Sequence, residues 1–373
     1  MAIIDVQCYP YTLPFRTPIS TAHGALKVRE GAIVEIITSG DLVGYGEIAP
    51  LPTFGGDDLA TALAPLPAII AGLRGEQIAE ALDTLRDTRT LPSAMVCALE
   101  TALLDVQGQS TGQSIGQLLA PTLVHYLSGV AVNAVVGATA IEQAVSSAQA
   151  AAAAGFRCIK LKMGRGQQEE IERVAAVRAA IGSEVHLRLD ANEGWHFSQA
   201  VAILSACAGY DIQYVEQPLK AANLQGMHEL RREVPIPLAA DEAIIGFASA
   251  RRILAMEAAD VLIIKPQLTG GLRASQQLIY EATERGIQCV ITSTMESGIG
   301  VVSALHLAAA SPVITLECGL ATLDLLVDDL IVDSPTIHEG FMALPTQSGL
   351  GVRVDKGALA HYAHNSAILR GAS

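Results

Sequence analysis

The sequence predicts an α/β fold, a parallel barrel of alternating strands and helices attached to a smaller α+β unit. Three observations carry this expectation. From about Gly129 onward, short apolar runs alternate with Ala-rich helical stretches, each run ends in polar residues, and those ends recur at a nearly constant interval. Lys162 to Asp190 is 28 positions, followed by 26 to Glu216, 25 to Asp241, 24 to Lys265, 28 to Ser293 and 25 to Cys318. A strand, a crossover helix and two loops need about that many residues. With GVAVNAVVG as the first there are eight such runs, and eight strands alternating with helices favour a closed barrel over an open sheet.

The elements follow in order. GAIVEIITSG and DLVGYGEIAP are apolar runs separated by Ser39-Gly40-Asp41, a hairpin signal. A polar, turn-rich loop, RTPISTAHGALKVRE, precedes the hairpin, and a second loop, LPTFGGDD, follows it. From about Leu59 to Gln117 the pattern is helical, with charges at helical spacing as in PSAMVCALETALLDVQG. The barrel strands are CIKLKMG, VHLRLDANEGW, IQYVEQPL, IPLAADEA, VLIIKPQLTGG, CVITSTMESGIG and VITLECGL. Their near-continuous apolar character suits strands covered by helices outside and filled by side chains inside. The polar ends then mark the face where barrel enzymes carry their chemistry.

Composition narrows the function. Half of the 373 residues are hydrophobic, and 24 Lys+Arg against 38 Asp+Glu leave a net charge of −14. Such a surface repels phosphate backbones and anionic membranes, so neither nucleic acid nor a membrane is an expected partner. The uncharged stretches Val106–Ile141 and Ser297–Leu316 are cut by Gly, Ser, Asn or Pro and read as buried elements, not membrane spans. The six cysteines form no C-x-x-C pair, and the start carries Asp5 in place of a basic, then apolar, leader. A reducing cytoplasm is the expected location.

The strand ends supply the candidate site. Lys160 and Lys162 alternate onto one side of an apolar strand, where two neighbouring ammonium groups would depress each other's pKa and allow one to act as a base. The alternative is a pair of surface lysines on an edge strand. Asp190, Glu216 and Asp241 end three consecutive strands, so in a barrel they converge; a hard divalent cation with oxygen ligands would let all three stay ionised. Lys265 ends the sixth strand and faces the lysine pair across the barrel mouth. A small carboxylate bound between these groups would lose its α-proton to Lys162 or Lys265. Asn192 and Glu242 stand beside the acids as groups that would orient them. His186 and His306 lie in apolar stretches and read as core residues, and GIG at 298–300 is too short to indicate phosphate binding.

The K-x-K of Lys160 and Lys162, the acids of LDAN, EQP and ADE, and the lysine of IIKPQ together resemble the enolase superfamily, in its muconate lactonizing subgroup. The resemblance implies a (β/α)7β barrel over 126–325, an N-terminal α+β capping domain over 1–125, and a segment, 326–373, that returns to the cap. It also implies specificity loops at 18–24 and 51–57, Mg2+ as cofactor with Mn2+ as a substitute, and a homo-oligomer. Muconate cycloisomerases, dipeptide epimerases, N-acylamino acid racemases and o-succinylbenzoate synthases share this machinery. GEIAPLPTF, STMESGIG and GLATLDLL look most like the synthases, which would place the chain in menaquinone or phylloquinone synthesis. There Lys162 would remove the proton and return it to the departing hydroxide in a syn dehydration, with Lys265 stabilising the anion. The epimerases carry Asp-x-Asp at the eighth strand's end; here the stretch reads ECGLAT, with Glu317 its only acid. Thr21, Phe54, Ser293, Thr294, Met295 and Glu317 complete the expected substrate contacts.

Overall fold

The computed structural model describes the chain except residues 22–23, 88–89, 123–126, 165, 364–368 and 371–373; the side chains of 20–21, 86–87 and 369–370 also lie outside the description. Strands β1 (Ile3–Thr21), β2 (Gly24–Thr38) and β3 (Val43–Ile48) form an antiparallel sheet. The expected hairpin is β2–β3, turned through Asp41 in the left-handed region at φ 59°. The expected loop before it is instead paired chain: β1 and β2 continue through Ile19↔Leu26 to Thr21↔Gly24 after a register shift beyond Pro14. Helix Ser93–Thr111 lies flat on β3 because Gly44 and Gly46 carry no side chain. A methyl group on Gly46 would stand 1.9 Å from the Ala98 carbonyl oxygen.

Strand β4 (Gly129–Ala131) opens the second unit, followed by β5 (Ala134–Val136), β6 (Cys158–Lys162), β7 (His186–Asp190), β8 (Ile212–Glu216), β9 (Leu238–Ala240), β10 (Val261–Ile264) and β11 (Gln288–Ile291). Strands β5 to β11 form one parallel ladder in sequence order. Helices Ile141–Ala153, Gln167–Ile181, Phe197–Ala206, Leu224–Glu233, Phe247–Ala255, Leu272–Thr283 and Gly298–Ala309 alternate with them or follow. Parallel bridges from Thr292 to Gly319 and from Val132 to Cys318 close the ring. The fold is thus an α/β TIM-like barrel with an antiparallel cap, as the sequence predicts. Its eighth strand is reduced to Cys318–Gly319, because a turn bonding Ile314 N to Ser311 O consumes the start of the apolar run.

The GVAVNAVVG run is divided at Asn133. Upstream of the break, β4 pairs with β13 (Phe341–Ala343), which itself pairs with β12 (Ile337–His338). The last strand, β14 (Leu369–Arg370), adds to the outer edge of β1 at Gln7 and Cys8. Among the described residues no helix is long and apolar enough to cross a membrane.

Two histidines test the sequence reading. His306 is fully buried, with Nε2 donating to Leu350 O at 2.9 Å, and burial pulls it down to about 4. His186 departs from the expectation: its side chain is 52% exposed at the start of β7, with Nδ1 2.8 Å from Glu317 Oε1. The His306 value sets a pH dependence. Its folded pKa lies below the unfolded one, so its contribution is present above about pH 6.5 and lost as pH falls towards 4. Urea titrations at pH 7.5 and 5 should show the wild type losing about 2 kcal/mol more than His306→Gln. Equal losses would refute this assignment.

Candidate active site

Strand β6 buries Ile159 and Leu161 towards the helices and turns Lys160 and Lys162 inward, in register with Arg188 and Asp190 of β7. Lys162 Nζ donates to Asp190 Oδ2 at 2.7 Å and to Asn192 Oδ1 at 2.9 Å. Asn192 Nδ2 in turn donates to Glu242 Oε1 at 2.9 Å. Lys160 Nζ bridges Glu216 Oε1 at 3.0 Å and Asp190 Oδ2 at 3.1 Å. The expected mutual depression of the two lysines fails for Lys160. Burial pulls its pKa down, but Glu216 and Asp190 outweigh burial and hold it well above the usual lysine range.

The three acids are buried at adjacent strand ends. Asp190 and Glu216 are register partners across β7 and β8, Glu216 faces Ala239, and Asp241 follows β9 directly. Burial disfavours the charge on Asp190, yet Lys162 and Lys160 hold it well below the carboxylate range. Glu216 goes the other way, pushed up to about 7 by burial and by the neighbouring Asp190 charge. Asp241 is raised by burial against the pull of Lys265, and Glu242 by burial and Asp190; Glu242 Oε2 is buried without a partner. The ammonium groups sit among these carboxylates. Among the described residues no three acid, histidine or cysteine side chains are gathered closely enough to form a ready metal cage.

One positioning residue escaped the sequence reading. Gln217, in the left-handed region at φ 37°, accepts from Asp241 N at 3.0 Å and Ala243 N at 3.2 Å through Oε1. Its Nε2 donates to Leu219 O at 2.9 Å, so one amide splices the strand end of Glu216 to that of Asp241. A buried amide directly after an acid, in EQP, was the available signal.

On the far side, Lys265 Nζ lies 2.5 Å from Asp241 Oδ1 and 4.2 Å from the centre of the Phe54 ring. The loop 51–57 therefore reaches the site, as expected. Ser293 Oγ is 2.7 Å from Thr322 Oγ1 and accepts from Met295 N at 3.3 Å; Met295 is half-buried in the left-handed region. The Thr21 side chain lies outside the described residues. Two of the expected substrate contacts face elsewhere. Thr294 is buried, its hydroxyl donating to Glu296 Oε1 at 2.7 Å and its amide to Glu296 Oε2 at 2.7 Å, so it braces its own loop.

Glu317 enters the short eighth strand from below, at the level of the start of β7. Arg188, fully buried, donates to Glu317 Oε2 at 2.8 Å and to its carbonyl at 2.7 Å, while Arg188 Nε donates to Gln213 Oε1 at 2.6 Å. With His186 on the other oxygen, that carboxylate belongs to the barrel floor. A cleft of about 1110 Å³ also lies elsewhere, between cap and barrel helices beside Arg251 and Arg273.

The GEIAPLPTF and STMESGIG motifs meet in space. Glu47, buried on β3, accepts from Ser297 N at 2.9 Å, Ser297 Oγ at 2.6 Å and Gly300 N at 2.8 Å, with Tyr11 OH as a further donor. It therefore caps helix Gly298–Ala309 from the other sheet.

Comparison with known proteins agrees with this architecture. The family described as Enolase C-terminal domain-like matches residues 143–358, and that described as MenC, N-terminal domain, matches residues 3–97. A hydrophobic dipeptide epimerase of Enterococcus faecalis is 31% identical over 94% of this chain and 99% of its own. The solved dipeptide epimerase of that organism, complexed with Mg and L-Leu-L-Tyr, superposes with a TM-score of 0.85 at 29% identity, covering 95% of this chain and all of its own. The N-succinyl Arg/Lys racemase of Bacillus cereus superposes with a TM-score of 0.89 at 25% identity, covering 97% of this chain and 98% of its own. An o-succinylbenzoate synthase of Thermobifida fusca is 39% identical over 56% of this chain and 64% of its own. The barrel match spans more than half of the chain, and the chain belongs to the enolase superfamily.

Proposed function

We propose that this enzyme removes the proton α to a carboxylate with the help of a divalent cation, and that it racemises or epimerises an amino-acid derivative. The observation that carries the reading is the pair of lysine centres, Lys162 and Lys265, set on strands separated by the three acid-bearing strands. A base on one face and an acid on the other are what inversion at a carbon acid needs. An epimerase and a racemase, each similar over nearly the whole chain, support the same outcome.

Asp190, Glu216 and Asp241 would hold the cation, with magnesium favoured by the all-oxygen donors. The donors fit such an ion. They are buried hard oxygens, Glu216 is pushed up to about 7 by burial and by the neighbouring Asp190 charge in spite of Lys160, and Glu242 keeps an unpartnered oxygen. Bound there, the cation supplies positive charge beside the substrate carboxylate, which acidifies the α-carbon. The chain does the rest. Lys162 Nζ, unprotonated, takes the α-proton; Asn192 and Asp190 hold that nitrogen in place. Lys265, protonated, gives its proton to the opposite face, and the C–H bond lost on one side is replaced on the other. Phe54 and the surrounding loop keep water from the Lys265 side.

A second reading, syn dehydration to o-succinylbenzoate, has two specific supports. The N-terminal unit matches the MenC, N-terminal domain, family, and Glu317, the only acid of ECGLAT where the epimerases carry Asp-x-Asp, is engaged by Arg188 and His186. Under that reading Lys162 both removes the proton and protonates the leaving hydroxide, while Lys265 stays cationic.

The two outcomes separate in one assay. With magnesium in D2O, dipeptides and N-succinylamino acids should exchange their α-hydrogen and invert, whereas a cyclohexadiene carboxylate bearing a hydroxyl and a succinyl chain, the substrate the synthase reading implies, should be turned over if the second reading holds. Lys162→Ala and Lys265→Ala should each lower inversion about 10²–10⁴-fold. Turnover unchanged in either variant would overturn both readings. Asp190→Asn and Glu216→Gln should weaken magnesium binding at least about tenfold by calorimetry, and undiminished affinity in both would remove the metal assignment.

A further inference from the structure

Gln267 lies two residues beyond Lys265 and is 3% exposed. Its Oε1 accepts from Ala49 N at 3.0 Å, and its Nε2 donates to Glu47 O at 2.8 Å. One side chain thus makes two backbone bonds with the end of β3, as a neighbouring strand would. The carbonyls that follow are held from the other sheet strand: Arg29 donates to Ala49 O at 2.5 Å and to Pro50 O at 2.8 Å. Directly after this doubly held root comes a compact turn, with Phe54 N and Gly56 N both donating to Leu51 O at 3.0 and 3.2 Å. Gly56 fits against Leu268, whose Cδ2 would be 3.0 Å from an added methyl group. The turn delivers the Phe54 ring to Lys265 Nζ.

The consequence is an asymmetry between the two lysines. The Lys162 side chain remains 34% exposed, whereas that of Lys265 is 7% exposed, enclosed between the Asp241 carboxylate and the Phe54 ring. The strand end that carries Lys265 also carries the residue that anchors its cover.

We propose that Gln267 is a positioning residue: by joining the root of loop 51–57 to the strand end of Lys265, it holds Phe54 over that ammonium and governs proton transfer on the Lys265 face alone. Phe54 contributes the contact, through attraction of the cation to the ring face and exclusion of water. Gln267 touches no reacting atom and acts through the loop.

The test uses Gln267→Met, which keeps volume and removes both bonds, and Phe54→Leu, which leaves Gln267 intact and removes the ring. The full-length proteins, wild type and both variants, are pulsed with N-hydroxysuccinimidyl acetate and acetylation is read at each lysine by peptide mass spectrometry. Severalfold faster acetylation of Lys265 in both variants, with Lys162 unchanged, is the expected result. An unchanged Lys265 rate in Gln267→Met, or equal acceleration of Lys162 and Lys265, would overturn the inference. A second readout rests on the proposed inversion. For the substrate that exchanges its α-hydrogen in D2O, the variants should slow exchange from the enantiomer served by Lys265 severalfold and leave the other within error. Equal slowing of both enantiomers would reduce Gln267 to a structural role. If the wild type exchanges no α-hydrogen in any substrate, the proposed reaction fails, while the acetylation result still decides the role of Gln267.

Discussion

Burying charge without a partner is among the costliest acts in folding, and the upper layer of this barrel is made almost wholly of charge. Lys160 bridges Asp190 and Glu216, Lys162 adds to Asp190, and Lys265 holds Asp241. These pairs exist only in one register: the parallel alignment that sets Lys162 beside Asp190 also sets Asp190 beside Glu216. A slip of one residue would turn each of these side chains towards the helices, where Ile159 and Leu189 now pack. The cluster is poor evidence for stability, since apolar replacements of buried ion pairs are often neutral or better. Its retention is intelligible as chemistry, and the protein accommodates it by fixing the strand ends around it, with Gln217 tying two of them together.

Charge also fastens the cap to the barrel. Glu47 bonds the first amides of helix Gly298–Ala309, and Asp329 accepts from Gly298 N at 2.7 Å at the same terminus. Glu100, from helix Ser93–Thr111, accepts from Leu272 N at 2.6 Å and Arg273 N at 3.2 Å at the start of the preceding barrel helix. Helix N-termini leave amides unsatisfied and carry partial positive charge, so a carboxylate from another unit answers both needs. Cap and barrel are therefore locked near the two strand ends that bear Lys265 and Ser293, which is where the loop 51–57 descends.

The parts of the site that were legible in the sequence are those whose signal is local. An acid or lysine closing an apolar run, repeated at the interval of one barrel unit, identifies Lys162, Asp190, Glu216, Asp241 and Lys265 without reference to any contact. Glu317 was misplaced because the apolar run before it resembles a strand; the bridging residues are Cys318 and Gly319, which puts Glu317 at the opposite end of the barrel. His186 illustrates the same limit, since one position at a strand start decides between core and solvent. Glu47, Gln267 and Arg188 were unreadable for a different reason. Each has a partner more than a hundred positions away: Gln267 is 218 residues from Ala49, Arg188 129 from Glu317 and Glu47 250 from Ser297. A residue that works only through such a partner leaves no periodic trace.

The inequality of the two lysines bears on why one scaffold can serve inversion and elimination alike. Both reactions begin with loss of the α-proton and need positive charge near the carboxylate. They diverge in what the second lysine does next: in inversion it must release a proton to carbon, whereas in elimination it must keep its charge while a hydroxide leaves from the Lys162 side. An ammonium enclosed by Asp241 and an aromatic ring is well placed for the second task, and it serves the first only when the substrate carbon is brought against it. On the proposed function, the position of the substrate between the lysines would decide between them, and loop 51–57, which brings Phe54 over Lys265, would bear on that position. Specificity would then turn on which face of the carbon meets Lys162 and which meets Lys265, whose ammonium is already enclosed by Asp241 and the Phe54 ring.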